Sequence, residues 1–375
     1  MIHDLGWWLA MAVRTGAERL AGEPGLVDDG RLGLITNFTG VLPDLRPTSV
    51  ALLEAGLPLT ALFGPEHGLR GTAQAGESEV EGVDPDTGLP VFDTYRRHGR
   101  SLDDLFSGVD VLLFDIQDIG TRFYTYIWTM YDCLKAAERL GKPFVVLDRP
   151  NPLGGVQVEG PALQPGFESF VGRAPIPLRH GLTVGELARQ LGEATVITMD
   201  GWSRDSWGTG MTWVPPSPNM PTLDTALVYP GTGLFEGTNL SEGRGTTRPF
   251  ETIGAPFVDA RFVPALRECE LPGVVFRRTW FEPVFSKYAG QAVPGVQLHV
   301  VDRAAYQPVR TALAMLRVLN ELYPTDFGLL PSLDKLWGSD SLRKSLEAGA
   351  DPVALLPSTT LSWARPDALL YEGTT

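Results

Sequence analysis

The sequence predicts an α/β protein: a parallel sheet with helices on both faces over 1–220, followed by a smaller α+β domain over 221–375. Three observations lead there. Strand and helix signals alternate through the first half of the chain. One segment, VDVLLFD (109–115), is apolar nearly throughout, as a strand covered on both faces should be. A long stretch rich in Gly, Pro, Ser, Thr and Asn, 214–247, then ends the alternation before a second set of signals begins.

The elements follow in order. Residues 7–20 read as a first amphipathic helix. RLGLIT (31–36) is a short strand after Gly30, and 47–55 is a helix closed by Gly56, a residue suited to the position after a helix end. LTALF (59–63) and VDVLLFD (109–115) are strands. Residues 126–140 form a helix ending at Gly141, and PFVVLD (143–148) is a further buried strand. In 183–191, Thr183 and Glu186 stand at capping-box spacing, and 194–199 is the last strand of the first set. The segment 214–247 is expected to be a functional loop without regular structure. Beyond it, 273–278 and 296–301 read as strands and 309–319 as a helix.

Composition excludes several classes. Hydrophobic residues make up 43% and charged residues 20% of the 375, too apolar for a disordered chain. The formal charge of −14 repels a polyanion, so nucleic acid is not the expected partner. The two cysteines, Cys133 and Cys269, form no C-x-x-C and read as ordinary thiols of the interior. No run of about 18 apolar residues suggests a membrane span. The apolar stretch GWWLAMAV (6–13) follows Asp4 rather than a basic segment, so no export signal is visible. The expected location is the cytoplasm, with secretion open if Met1 is not the natural start.

In a parallel α/β sheet, ligands bind at the carboxyl ends of the strands. Here GLIT is followed by Asn37, LTALF by Gly64-Pro65-Glu66-His67-Gly68, VDVLLF by Asp115-Ile116-Gln117-Asp118, and PFVVL by Asp148-Arg149. Polar and ionisable groups therefore converge on one sheet edge. Glu66-His67 between glycines suits an acid/base pair, since burial lifts a Glu toward the working pH of a general acid. The carboxylates Asp115, Asp118 and Asp148 near His67 offer a divalent-metal alternative, but their spacing matches no strong metal motif. The plainer reading is a structural ion pair of Asp148 with Arg149 and a turn cap by Asp118. Arg122 and Tyr124 follow the same strand, and Asn239, Glu242, Arg244 and Arg248 lie in the long loop. Arg suits a carboxylate, and Asn and Tyr suit sugar hydroxyls. His180 and His299 read as structural, while Trp202, Trp207 and Trp213 fit either a sugar face or the core. There is no G-x-G-x-x-G, no P-loop and no G-x-S-x-G, which disfavours dinucleotide, phosphate-loop and nucleophile-elbow chemistry.

The blocks GLITNFTG, LFGPEHGLRG, DVLLFDIQDIGTRFYTY, VLDRPNPLGG, IPLRHGLTVGELA, PPSPNMPT, ALVYPGTGLFEGTNLSEGRGTTRPFE, FSKYAG and GVQLHV occur in this order. Together they resemble the exo-β-N-acetylmuramidases of the NamZ type, long known only as a domain of unknown function. The resemblance runs from about Val13 to about Ala348. It implies a Rossmann-like N-terminal domain, a smaller C-terminal domain and a site in the cleft between them. It also implies hydrolytic release of N-acetylmuramic acid (MurNAc) from non-reducing ends of peptidoglycan fragments such as MurNAc-GlcNAc, with no metal or nucleotide cofactor. GPEHG maps onto 64–68 and makes Glu66 the leading catalytic carboxylate and proton donor. SEGRGTTRP maps onto 241–249, offering Glu242 (or Asp115) as the second group and Arg244 for the lactyl carboxylate. The rivals are a metal-dependent hydrolase on His67, Asp115 and Asp148, and a two-lobed muropeptide-binding protein without turnover.

Overall fold

The computed structural model describes residues 13–73, 76–358 and 360–373. Five helices, α1 (Gly16–Gly22), α2 (Thr48–Glu54), α3 (Arg100–Phe106), α4 (Tyr126–Leu140) and α5 (Val184–Leu191), accompany the first sheet. Its strands are β1 (Leu32–Thr36), β2 (Leu59–Gly64), β3 (Gly82–Val83), β4 (Pro90–Asp93), β5 (Val111–Asp115), β6 (Phe144–Leu147) and β7 (Thr195–Ile197), in the order β3-β4-β2-β1-β5-β6-β7. All pairings are parallel except the β3–β4 hairpin at the edge. Every residue of β1, β5 and β6 is buried, which explains their unbroken apolar runs. Burying each Leu, Val or Phe there contributes roughly 1.5–3 kcal/mol.

The remaining elements are β8 (Thr252–Gly254), β9 (Val274–Phe281) and β10 (Val293–Val300), with α6 (Leu223–Thr232), α7 (Phe262–Glu268), α8 (Pro308–Leu322), α9 (Ser332–Trp337) and α10 (Ser341–Glu347). The three strands form a second, antiparallel sheet in the order β8-β10-β9. The architecture is thus α/β with a small second sheet, as the alternation and its interruption predict.

Local signals act where expected. Gly141 ends α4 in the left-handed region at φ 63°. Thr183 and Glu186 form a reciprocal capping box at 3.2 and 3.1 Å.

Two expectations are corrected. The helix expected over 7–20 begins outside the described residues, and within them it starts only at Gly16. Arg14 instead pairs through its backbone with Asp200 at 3.0 and 2.9 Å, an extended bridge that the helical pattern does not reveal. The segment 214–247 is not free of regular structure. It contains α6 and a short 3₁₀ turn, Gly233–Gly237. Pro230 and two glycines conceal α6, but Thr222 caps it, accepting the Thr225 N–H at 3.1 Å, and its residues from Thr225 on are buried. At Gly231 an added Cβ would lie 2.0 Å from the Pro308 carbonyl oxygen, so the glycine that weakens the helix signal lets α6 meet α8.

Candidate active site

Because the strands of the first sheet run together, their carboxyl ends open on one edge. There the chain encloses a cavity of about 350 Å³. Its wall comes from the loop after β2 (Glu66, His67, Gly76), the turn after β4 (Tyr95, Arg96) and the residues before α4 (Phe123, Tyr124, Thr125). The segment leading into α6 (Ser217, Asn219, Met220), Phe170, Val171, Tyr229, Glu236, Arg244 and Phe250 complete it. Of three larger hollows, one of about 650 Å³ adjoins the cavity and shares Tyr95, Arg96 and Phe170 with it. The other two, about 570 and 720 Å³, lie at the opposite edge, beside the first residues of β6 and β7 and of β2 and β4. That is the amino end of the strands, and neither hollow contains any of the strand-tip motifs.

Glu66 is buried, and both its oxygens are held. Oε1 accepts the Gly76 N–H at 2.7 Å and Oε2 the Thr125 hydroxyl at 2.6 Å. Among the described residues no cationic side chain pairs with it. His67 occupies the left-handed region at φ 71°, rare for a residue with a side chain. Its Nδ1 lies 2.9 Å from the Ala73 carbonyl oxygen, which assigns a hydrogen to Nδ1. Tyr124 sits edge-on to Tyr126 and Tyr229, at 5.2 and 6.0 Å between centroids. Burial pushes its hydroxyl pKa up and keeps it a neutral group.

The second carboxylate of the wall is Glu236. Arg244 donates to its Oε1 from both Nε, at 2.8 Å, and Nη2. Burial pushes the Glu236 pKa up, and the Arg244 charge pulls it back. Behind this pair, Glu242 receives Lys287 Nζ at 3.0 Å and stands 3.5 Å from Arg244 Nε. Lys287 also donates to the Phe235 and Leu240 carbonyls at 3.0 and 2.9 Å, and Arg244 lies 5.0 Å from the centre of the Phe250 ring.

Of the site residues named from the sequence, Glu66, His67, Tyr124 and Arg244 line the cavity. The others are placed elsewhere. Asp115 and Arg149 form a fully buried two-pronged ion pair, at 2.5 and 2.9 Å, so Arg149 pairs with Asp115 and not with its neighbour Asp148. Asp148 accepts the Arg149 and Gly185 N–H groups at 3.0 and 2.8 Å, the Thr183 hydroxyl at 2.8 Å and the Tyr371 hydroxyl at 2.5 Å. Burial raises its pKa to about 7. Asn37 accepts from the Thr39 N–H and hydroxyl, and Asp118 caps Gly120. Arg122 is fully buried and donates to the carbonyls of Pro161, Ile176, Leu336 and Trp337 at 2.8–2.9 Å. Desolvation lowers its pKa to about 9, still charged at neutral pH. Asn239 bonds the backbone of Asp326 and Gly328, and Arg248 pairs with Glu251 at 3.1 Å. The metal-ligand alternative disperses likewise, since only His67 of its three members reaches the cavity. Trp202 is buried, and Trp207 and Trp213 pack on the core.

The sequence reading missed Glu236, Thr125, Tyr95 and Arg96. Glu236 lies in ALVYPGTGLFEGTNLSEGRGTTRPFE, a stretch whose prolines and glycines predict no regular structure, and Glu242, beside Gly243, is its more conspicuous carboxylate. Tyr95 and Arg96 follow β4, a short edge strand with a weak apolar signal.

Comparison with known proteins places the chain in a family. The sequence profile described as Exo-beta-N-acetylmuramidase NamZ, N-terminal, matches residues 32–224, and its C-terminal counterpart matches 227–362. The chain belongs to the NamZ family of exo-β-N-acetylmuramidases. The peptidoglycan beta-N-acetylmuramidase NamZ of Bacillus subtilis is 49% identical over 332 residues, covering 85% of this chain and 80% of that protein. Two crystal structures of DUF1343 family proteins from Bacteroides fragilis share the fold. One has a TM-score of 0.82 at 36% identity, covering 90% of this chain and 92% of its own. The other has a TM-score of 0.75 at 27% identity, covering 96% and 99%. The chain is an exo-β-N-acetylmuramidase-like glycoside hydrolase. No helix among the described residues is long and apolar enough to cross a membrane.

Proposed function

We propose that this chain removes terminal MurNAc from the non-reducing ends of peptidoglycan fragments such as MurNAc-GlcNAc, with Glu66 as the proton donor. The observation that carries the role assignment is the contrast between the two carboxylates of the cavity. Glu66 is anchored by neutral donors only and has no cationic partner among the described residues. Glu236 is locked to Arg244. A carboxyl without a cationic partner is open to hand its proton to a leaving oxygen, whereas a guanidinium at hydrogen-bond distance favours the ionised form against the effect of burial. Glu66 thus protonates the glycosidic oxygen as its bond to the anomeric carbon breaks. Glu236 offsets the positive charge growing on the sugar. Water then adds its hydroxide to the anomeric carbon, directly or after attack by the substrate's own acetamido oxygen, and its remaining proton makes good the one Glu66 gave up. Glu236 takes the place of Glu242 and Asp115 as second group, because it lines the cavity and neither of them does.

The test is Glu66→Gln on two MurNAc substrates, one with a nitrophenyl leaving group and one with GlcNAc. General acid catalysis is worth roughly 10²–10⁴-fold. The loss should be larger for GlcNAc, a poor leaving group that depends on protonation. A loss under about tenfold on both substrates removes Glu66 from this role.

A further inference from the structure

Two guanidinium groups line the cavity, and they differ in what holds them. Arg244 faces Glu236 and Glu242, and with Lys287 the four charges cancel. A substrate carboxylate brought to Arg244 would meet Glu236 already in place. Arg96 has no carboxylate within ion-pair distance among the described residues. Its guanidinium rests on the Tyr95 ring, 4.9 Å from the centroid, at the exposed mouth of the cavity. It stands beside the loop that positions Glu66: a Cβ added at Gly76, whose N–H binds Glu66, would lie 4.0 Å from Arg96 Nη2.

The backbone of Arg96 is also unusual. The Arg97 N–H closes a turn on the Thr94 carbonyl at 3.2 Å, and Arg96, its third residue, has φ 58°. Glycine suits that position and an L side chain does not. A strained arginine at the rim of a functional cavity, with its charge unpaired, points to a ligand anion.

We infer that Arg96 receives the carboxylate of the 3-O-lactyl group and so sets the preference for MurNAc over GlcNAc, which lacks that group. The inference rests on the reading of the cavity as a MurNAc site and names the residue that reads the sugar's charge.

The test measures binding of free MurNAc and free GlcNAc by calorimetry, and KM and kcat on nitrophenyl glycosides of both. The proteins are the wild type, Arg96→Gly and Arg96→Gln. Both variants should lose MurNAc affinity by roughly 10–100-fold, the range of a charge-assisted hydrogen bond. The loss should appear in KM more than in kcat, and the MurNAc/GlcNAc preference should collapse. Arg96→Gly should melt no lower than wild type, because glycine relieves the turn. An unchanged preference in both variants overturns the inference, as does a wild type that binds MurNAc no better than GlcNAc. Arg96-dependent MurNAc binding without hydrolysis would leave this inference standing and refute the proposed reaction instead.

Discussion

Arg122→Met distinguishes a structural strut from a ligand residue. The guanidinium donates to four carbonyls, the partly buried Pro161 and the buried Ile176, Leu336 and Trp337, the last two in α9, so it ties distant parts of the chain together. Methionine keeps much of the volume and removes every donor. Each stranded acceptor costs about 1–3 kcal/mol, so the four taken singly total roughly 4–12 kcal/mol. They share one donor group, and repacking around the thioether recovers part of the loss, so about 3–5 kcal/mol is the expected net. That is a large fraction of the roughly 5–15 kcal/mol by which domains are stable. Urea unfolding should show a lower midpoint at an unchanged slope. At temperatures where the variant stays folded, its KM should be close to wild type. A stability loss below about 1 kcal/mol together with a raised KM would refute the strut and restore Arg122 as a substrate residue.

Three further outcomes are expected. Glu236→Gln should lower kcat by roughly 10²-fold or more with the fold retained, whereas Glu242→Gln should act mainly on stability by unpairing Lys287; rates and melting curves of the two variants separate these effects. Gly233→Ala would place a Cβ 2.5 Å from the buried Phe123 ring of the cavity wall, so a melting-curve comparison should show a loss of about 1–3 kcal/mol, with a fall in kcat/KM. Burial raises the Asp148 pKa to about 7, above the roughly 3.9 of an unfolded Asp, so folding takes up a proton between these values. Its contribution is therefore full below about pH 4 and declines as pH rises through 7, by up to about 4 kcal/mol. Wild-type stability relative to Asp148→Asn, measured by denaturation from pH 4 to 8, should follow that decline.

Signals that are local in the chain were legible, and those made by distant partners were not. β5 announces itself because both its faces are covered, and Thr183 with Glu186 forms its box within one turn. The strand tips were correctly brought to one edge, yet most of their charges turn inward. Asp115 needs Arg149 and Asp148 needs Tyr371, partners separated by 34 and 223 positions that no spacing rule reveals. Glu66 was found because a Glu-His between glycines is compact. Glu236 was overlooked because Pro230 and the surrounding glycines disguise α6, which buries nearly all of its length against α8 and the core. Arg96 carries no local signal beyond a turn that would favour glycine.

Whether the Glu66 cavity hydrolyses a terminal MurNAc linkage is decided by incubating MurNAc-GlcNAc in ¹⁸O-water with wild type and Glu66→Gln, and following the sugars by mass spectrometry. Wild type should liberate MurNAc carrying one heavy oxygen at the anomeric carbon and GlcNAc unlabelled at O4, and Glu66→Gln should do so at least roughly 100-fold more slowly. Heavy oxygen at O4 of the released GlcNAc, or comparable rates from the two proteins, would overturn this reading.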